Sequence, residues 1–557
     1  MLPRAKSWDE IAAEFRWPRP TTYNIAVEVC ERRAAASPDA PAIVDARDEG
    51  RIEVWSYRRL SLAVHRLSNV LAATGIGRGD RVAILLPQSP DTVIAHLAVY
   101  ALAAVALPLA EVFGVEALDH RLGDAGVRAV ITHHAGAAKI AALADRLPSL
   151  ETIWCVDGPG AHGEDLAAAT ARASDAFTPV TTGPDDPALM IYTSGTTGLP
   201  KGALHGHRVL LGHLPGVQLA HEFLPAPGDL MWTPADWAWA GGLLNALLPA
   251  LAFGVPVVAG RGGRFDPDRA VRSIIDLGVR NVFLPPTALK MMRSGTPAAR
   301  KGLSLRSVAS AGEALGRETW EWGRSALGVA INEWYGQTEC NLVLGSAAGL
   351  GVSRAGAIGR PVPGHRVALL GPDGAPVRPG EVGQIAVARP DPVMFLGYWN
   401  QPAATAAKFR GDWLMTGDQG IADDDGYVTF VGRDDDLITS SGYRIGPAEI
   451  EDCLIGHPAV GFAAVVGKPD RLRTEIVKAY VKLRDGVEAS PALAEAIRAH
   501  VRERLSAHEY PREIAFVDEI PMTTTGKVIR RFFREDARAE AGSDGPLGAR
   551  SDRVEPT

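Results

Sequence analysis

From about Thr22 to Gly260, apolar runs with helical spacing alternate with short runs of strand character, which restricts this part of the chain to βαβ construction. Ala26 to Ala36, Leu60 to Thr74 and Thr92 to Ala104 read as helices, and Arg81-Val-Ala-Ile-Leu-Leu86 and Arg128-Ala-Val-Ile-Thr132 as strands. Further units of this kind continue to about residue 330. From Gly359 the texture changes. Val367-Ala-Leu-Leu370, Glu381-Val-Gly-Gln-Ile-Ala-Val387 and Gly426-Tyr-Val-Thr-Phe-Val431, with Pro-Asp-Gly and Asp-Asp-Gly turns, predict an antiparallel β subdomain. After Gly432-Arg-Asp-Asp-Asp436 comes a compact α+β unit, with helices at Pro447 to Ile455 and Pro491 to Leu505. Its strands are expected at Val460 to Val466, Ile476 to Leu483 and Glu513 to Val517.

The fold class is therefore α/β: a large N-terminal domain of βαβ subdomains with parallel sheets plus an antiparallel β subdomain, then a small α+β domain. The boundaries are set at 1–433 and 434–536. Residues 537–557, rich in Gly, Ala and charge, are expected to be a disordered tail.

Two apolar stretches are long enough to raise the question of a membrane span. Val93 to Leu107 contains His96 and runs into Pro108, short of the roughly 20 residues a span needs. Trp237 to Gly260 is interrupted by Asn245, Pro249, Pro256 and glycines, and reads as a buried helix, a Phe253-Gly254 turn and a short strand. No membrane span is expected. A formal charge of −7 lacks the basic footprint of a nucleic-acid binder. The N-terminus has no apolar segment of signal-peptide type, and four scattered cysteines make neither a disulfide frame nor a CxxC site, so a cytoplasmic location is expected.

The sharpest local feature is Tyr192-Thr-Ser-Gly-Thr-Thr-Gly-Leu-Pro-Lys-Gly202, directly after the apolar Ala188-Leu-Met-Ile191. Hydroxyls, glycines and a lysine at this density describe a loop that can wrap a polyphosphate, although the Walker A spacing is absent. His205, His207 and His213 follow it, without a third ligand at metal-site spacing, and read as packing or capping histidines.

This loop resembles the signature of the adenylate-forming superfamily. Further matching segments follow in the family's order: Ala311-Gly-Glu-Ala-Leu315, Trp334-Tyr-Gly-Gln-Thr-Glu339, Trp413-Leu-Met-Thr-Gly-Asp418, Gly432-Arg-Asp-Asp-Asp436, Ser441-Gly-Tyr-Arg-Ile-Gly-Pro-Ala-Glu-Ile450 and Pro521-Met-Thr-Thr-Thr-Gly-Lys527. The resemblance spans about residues 22 to 535, and is greatest to AMP-forming acyl-CoA synthetases of the acetyl and medium-chain type. It implies a carboxylic acid, ATP and CoA as small-molecule partners, Mg²⁺ as cofactor, and a mobile C-terminal domain; a homodimer is left open.

The resemblance also implies residue roles. Thr193, Ser194, Gly195, Thr196, Thr197, Gly198 and Lys201 would hold the ATP phosphates; Gly312 and Glu313 would face the adenine; Asp418 and Arg433 the ribose and phosphate; Glu333, Trp334, Tyr335, Gly336 and Gln337 would also bind ATP. Glu339 would be the magnesium ligand, with Thr338 at the α-phosphate. Lys527 would stabilise charge on the α-phosphate during adenylation, and Asp435 would be the hinge. Ser441, Gly442, Tyr443, Arg444, Tyr510 and Arg512 would border CoA, with Glu509 standing where the medium-chain group has lysine.

Trp239, Ala240, Ala311 and Gly336 would line the acyl pocket. Acetate enzymes carry tryptophan at the position of Gly336, so glycine is expected to leave the pocket open to medium-chain, branched or aromatic acids. Loading of an amino or aryl acid onto a carrier protein is the alternative activity, and a non-catalytic nucleotide-binding regulator a third.

Overall fold

The computed structural model of the 557-residue chain describes every residue except 4–6, 49, 194–198, 261, 264, 297–299, 435, 441–442, 471–472, 506–508, 524–527 and 543–557. Of residues 294, 443, 444 and 542 the backbone alone is described.

The chain is an α/β protein whose large part is built on two sheets with parallel centres. One orders its strands 397–398, 201–206, 187–193, 105–108, 81–85, 129–132, 152–155 and 164–165. Strands Val105–Pro108 and Ala129–Thr132 are buried along their whole length, which explains why they read as unbroken apolar runs rather than alternating ones. The second sheet runs 360–361, 340–345, 331–337, 307–310, 281–283, 231–232, 257–259, 41–45 and 53–56.

The main core lies between these sheets. The helix Pro90–Ala101 is buried on nearly every side there, which accounts for the first apolar stretch. The second resolves into Leu243–Leu247, the helix Leu248–Phe253, a left-handed Gly254 at φ +80° and the strand Val257–Ala259. Among the described residues no helix is long and apolar enough to cross a membrane.

An antiparallel sheet follows, with strands Val367–Leu370, Val382–Ala388, Trp413–Ala422 and Val428–Arg433. Beyond it the chain forms a separate small sheet, Ile438–Ser440, Tyr443–Ile445, Val460–Asp470, Thr474–Leu483 and Glu513–Phe516, covered by helices Pro447–Ile455, Pro491–Arg504 and Arg530–Gly542. No hydrophobic cluster among the described residues contains members from both sides of residues 431–437.

One expectation needs correcting. The final helix runs on to Gly542, so a tail boundary at 537 cuts through it; Ala537 is fully buried beside Phe533 and Val466. Its composition looks polar because only one stripe of the helix meets the sheet.

Candidate active site

Strands Pro187–Thr193 and Lys201–Gly206 form a hairpin in which Thr193 pairs with Lys201 and Tyr192 with Gly202. Ser194, Gly195, Thr196, Thr197 and Gly198, between these strands, lie outside the described residues. The approach to the loop is braced from outside. Tyr192 donates its hydroxyl to Asp124 at 2.5 Å, and the His120 ring lies 2.8 Å from the Pro200 carbonyl. A Cβ at Gly202 would come within 2.9 Å of the Met190 sulfur, so glycine permits this close crossing.

A second hairpin, Ile331–Gln337 with Cys340–Gly345, carries Thr338 and Glu339 at its tip. Glu339 is buried and accepts the hydroxyl proton of Tyr398 at Oε1; its other oxygen has no partner among the described residues. The Tyr398 ring also faces Lys201, whose Nζ is 5.2 Å from the ring centre. Two residues remote in sequence are thus joined through a tyrosine for which no sequence motif gave a signal.

The same hairpin organises Asp418. Tyr335 donates its hydroxyl at 2.7 Å and Gln337 its amide at 2.6 Å, both to Oδ2 of the buried Asp418. Arg433 stands directly opposite Asp418 on the neighbouring strand. The next residue, Asp434, is fastened by Gln384 at 2.5 Å and Gln419 at 2.6 Å, while its N–H donates to the Gly417 carbonyl at 2.9 Å.

Of the residues expected to bind ATP, Gly312 adopts φ +104° and nothing among the described residues lies within 4 Å of where its Cβ would be. Glu313 accepts from the Thr287 hydroxyl at 2.9 Å. Glu333 accepts from the Leu315 N–H at 3.1 Å, and its carboxyl is pushed up to about 7, chiefly by burial. Trp334 is core, stacked on Phe283 at 5.8 Å.

Near the residues expected to line the acyl pocket, the two tryptophans differ in burial. Trp237 is fully buried, whereas Trp239 is half-buried and meets Phe113 edge-on at 5.7 Å. Ala240 follows it, and a Cβ at Gly241 would touch the Phe283 ring at 3.1 Å. Asp236, which accepts from the Ala238 N–H at 2.9 Å, is pushed up to about 6 by burial, with Glu111 adding to the shift.

The backbone around Gly336 is crowded. A Cβ there would lie 2.3 Å from the Leu342 backbone nitrogen and 2.6 Å from the Asn341 Cα. It sits at the register shift of the hairpin, so a side chain is directed into the partner strand's backbone rather than outward.

His205, His207 and His213 are buried and held neutral, pushed down by burial to about 3, 4 and 4. His207 accepts from the Ile25 N–H at 3.1 Å and His213 lies 2.6 Å from the Val209 carbonyl, in keeping with packing histidines. Arg512 lies 5.2 Å from the Tyr510 ring centre. Tyr443 and Arg444 fall on a strand pairing with Ser440 and Thr439. Asp435, Ser441, Gly442 and Lys527 lie outside the described residues.

Two family models match the chain: AMP-binding enzyme over residues 30–399 and AMP-binding enzyme C-terminal domain over 449–527. Among curated proteins the chain is 33% identical to an uncharacterized acyl–CoA ligase, YtcI, of Bacillus subtilis, across 92% of this chain and 95% of that one. It is also 33% identical to the acetyl-coenzyme A synthetase of the same organism, across 95% of each. Among solved structures, an anthranilate CoA ligase, AuaEII, in complex with anthranoyl-AMP superposes with a TM-score of 0.87 at 27% identity, across 96% of this chain and 100% of that one.

Proposed function

The chain belongs to the AMP-binding enzyme family, and from that premise we propose that its site activates medium-chain, branched or aromatic carboxylic acids as their CoA thioesters. A carboxylate oxygen of the acid attacks the α-phosphorus of ATP and pyrophosphate leaves; the CoA sulfur then attacks the acyl carbon and AMP leaves.

The observation that carries this reading is the hairpin tip that gathers Glu339, Gln337 and the Asp418 carboxylate beside the Lys201 end of the Thr/Gly loop. Asp418, with Arg433 across the ladder, suits a ribose diol. Glu339 fits magnesium: a buried carboxylate, fixed through one oxygen by Tyr398, with the other oxygen available, is the single protein carboxylate such a phosphate-bound ion takes. When bound, the ion neutralises charge on the phosphates. Tyr398 then holds the Glu339 carboxylate in place, and Lys201 adds positive charge on the same side.

Lys527 is proposed to stabilise the α-phosphate in the first step, Asp435 to be the pivot, and Ser441, Gly442, Tyr443, Arg444, Tyr510 and Arg512 to border CoA. The acid class is supported by Trp239 and Phe113 as an aromatic wall with the small Ala240 next to Trp239 in the chain; the small, buried Ala311 is proposed to complete the lining.

Pyrophosphate release should be measured with acids from acetate to dodecanoate, branched acids and benzoates, each with CoA and with a carrier protein. Release with CoA on the larger acids is expected; thioester formation only on a carrier protein would overturn the assignment of CoA. Lys527→Ala should abolish acyl-AMP formation and leave thioester formation from supplied acyl-AMP largely intact. Equal loss of both steps would remove Lys527 from this role.

A further inference from the structure

The helix Arg317–Ala326 begins after Gly316 with no side-chain cap from its own segment. Its cap comes from the small domain. Asp452, on the helix Pro447–Ile455, accepts from the Glu318 N–H at 3.4 Å, and the neighbouring Arg317 backbone N–H also favours its charged form. A carboxylate at this end is favoured both by the unpaired N–H groups and by the helix dipole.

The fit depends on Gly316, which has φ +80°. A Cβ there would stand 2.1 Å from Asp452 Oδ1. That same oxygen is buried without a hydrogen-bond partner among the described residues, while Lys290 attracts the carboxylate and Glu318 repels it. Arg504 lies 3.9 Å from Glu318, and the Lys290 ammonium 5.9 Å from the Phe462 ring centre. With no hydrophobic cluster among the described residues crossing between the domains, this contact has the character of an interface that is made and broken rather than permanent.

Resting on the acyl-CoA synthetase reading, we infer that Asp452 is a latch: by capping the large domain's helix at Gly316 it selects this docked arrangement, and so serves one of the two half-reactions and not the other. Asp452 acts through domain placement and is a positioning residue.

The test is a pair of readouts on the full-length enzyme with Asp452→Ala, Gly316→Ala and the double variant. Hydrogen exchange at amides 317–320 should accelerate about fivefold or more in Asp452→Ala, while the helix 447–455 keeps its protection. Unchanged exchange at 317–320, or loss of protection across 447–455 instead, would overturn the latch. ATP–pyrophosphate exchange and thioester formation from synthetic acyl-AMP, using the best acid of the panel, should respond unequally. One is expected to fall about tenfold in either single variant while the other holds. In the double variant the defect should be no worse than in Gly316→Ala alone, because the overlap with the carboxylate is gone.

Equal loss of both half-reactions, no loss in either, or additive defects would refute the inference. If the wild-type enzyme activates no acid in the panel, the acyl-CoA synthetase reading fails by itself, and the exchange measurement still decides whether Asp452 caps the helix.

Discussion

Tyr398 donates to a carboxylate oxygen of Glu339 and presents its ring to Lys201, so its hydroxyl fixes the orientation of the proposed magnesium ligand. Outer partners of this kind typically change metal affinity by about 10–100-fold. Tyr398→Phe should therefore raise the Mg²⁺ concentration for half-maximal adenylation about tenfold, with little change once Mg²⁺ saturates; an unchanged Mg²⁺ titration would count against the role. Glu333 offers a pH test. Burial holds its pKa at about 7 against an ordinary 4.5, so the folded protein keeps a proton that the unfolded chain has lost. Its contribution to stability is complete below pH 4.5 and lost as pH rises through 7, by at most about 1.4 kcal/mol per pH unit. Glu333→Gln should thus gain melting temperature relative to wild type between pH 5 and 8, whereas a constant offset would argue otherwise. Glu339, Asp418 and Lys201 were legible in the sequence because each sits in a dense local motif. Tyr398 was not: it acts on Glu339 from 59 residues away, and a lone tyrosine between Gly397 and Trp399 carries no such pattern.

At the level of elements, the hairpin 331–345 turns on Gly336, and backbone on the facing strand fills the space where a side chain would go. Gly336→Ala should cost about 2–3 kcal/mol by forcing the strands apart, seen as a drop in melting temperature together with weaker ATP binding. A stable variant with normal ATP affinity would show that the hairpin yields. The acyl wall is better probed at Trp239, whose truncation to Ala should move preference toward bulkier acids without the loss of stability. The helix Pro447–Ile455 could be read directly, since Gly446 before a first-turn proline marks its start. Central strands such as Ala129–Thr132 were equally plain as short apolar runs. The direction of the missing Gly336 side chain could not be read, because it depends on which backbone lies across the ladder, a fact that no local spacing encodes.

Across the whole molecule, the change of texture near residues 432–436 marked where one set of hydrophobic clusters ends and another begins, but the far end of the small domain was misjudged. Lys478 is nearly fully buried and pairs with Glu540 at 2.5 Å; Lys468 reaches the same carboxylate at 2.9 Å. The final helix looks like a charged tail only until those partners across the sheet are known. Ending the chain after Gly542 should leave stability unchanged. Ending it after Asp536 strands the Lys478 ammonium and should cost about 3–5 kcal/mol, visible as early melting of the small domain. Equal melting of the two truncations would show that the last turns are dispensable. The fastening of Asp434 has a mechanical consequence. Gln384, Gln419 and the Gly417 carbonyl clamp the chain one residue after Arg433, which itself faces Asp418. The chain is thus held in place as far as residue 434, so a pivot at Asp435, as proposed, would leave the proposed ribose contacts on its fixed side.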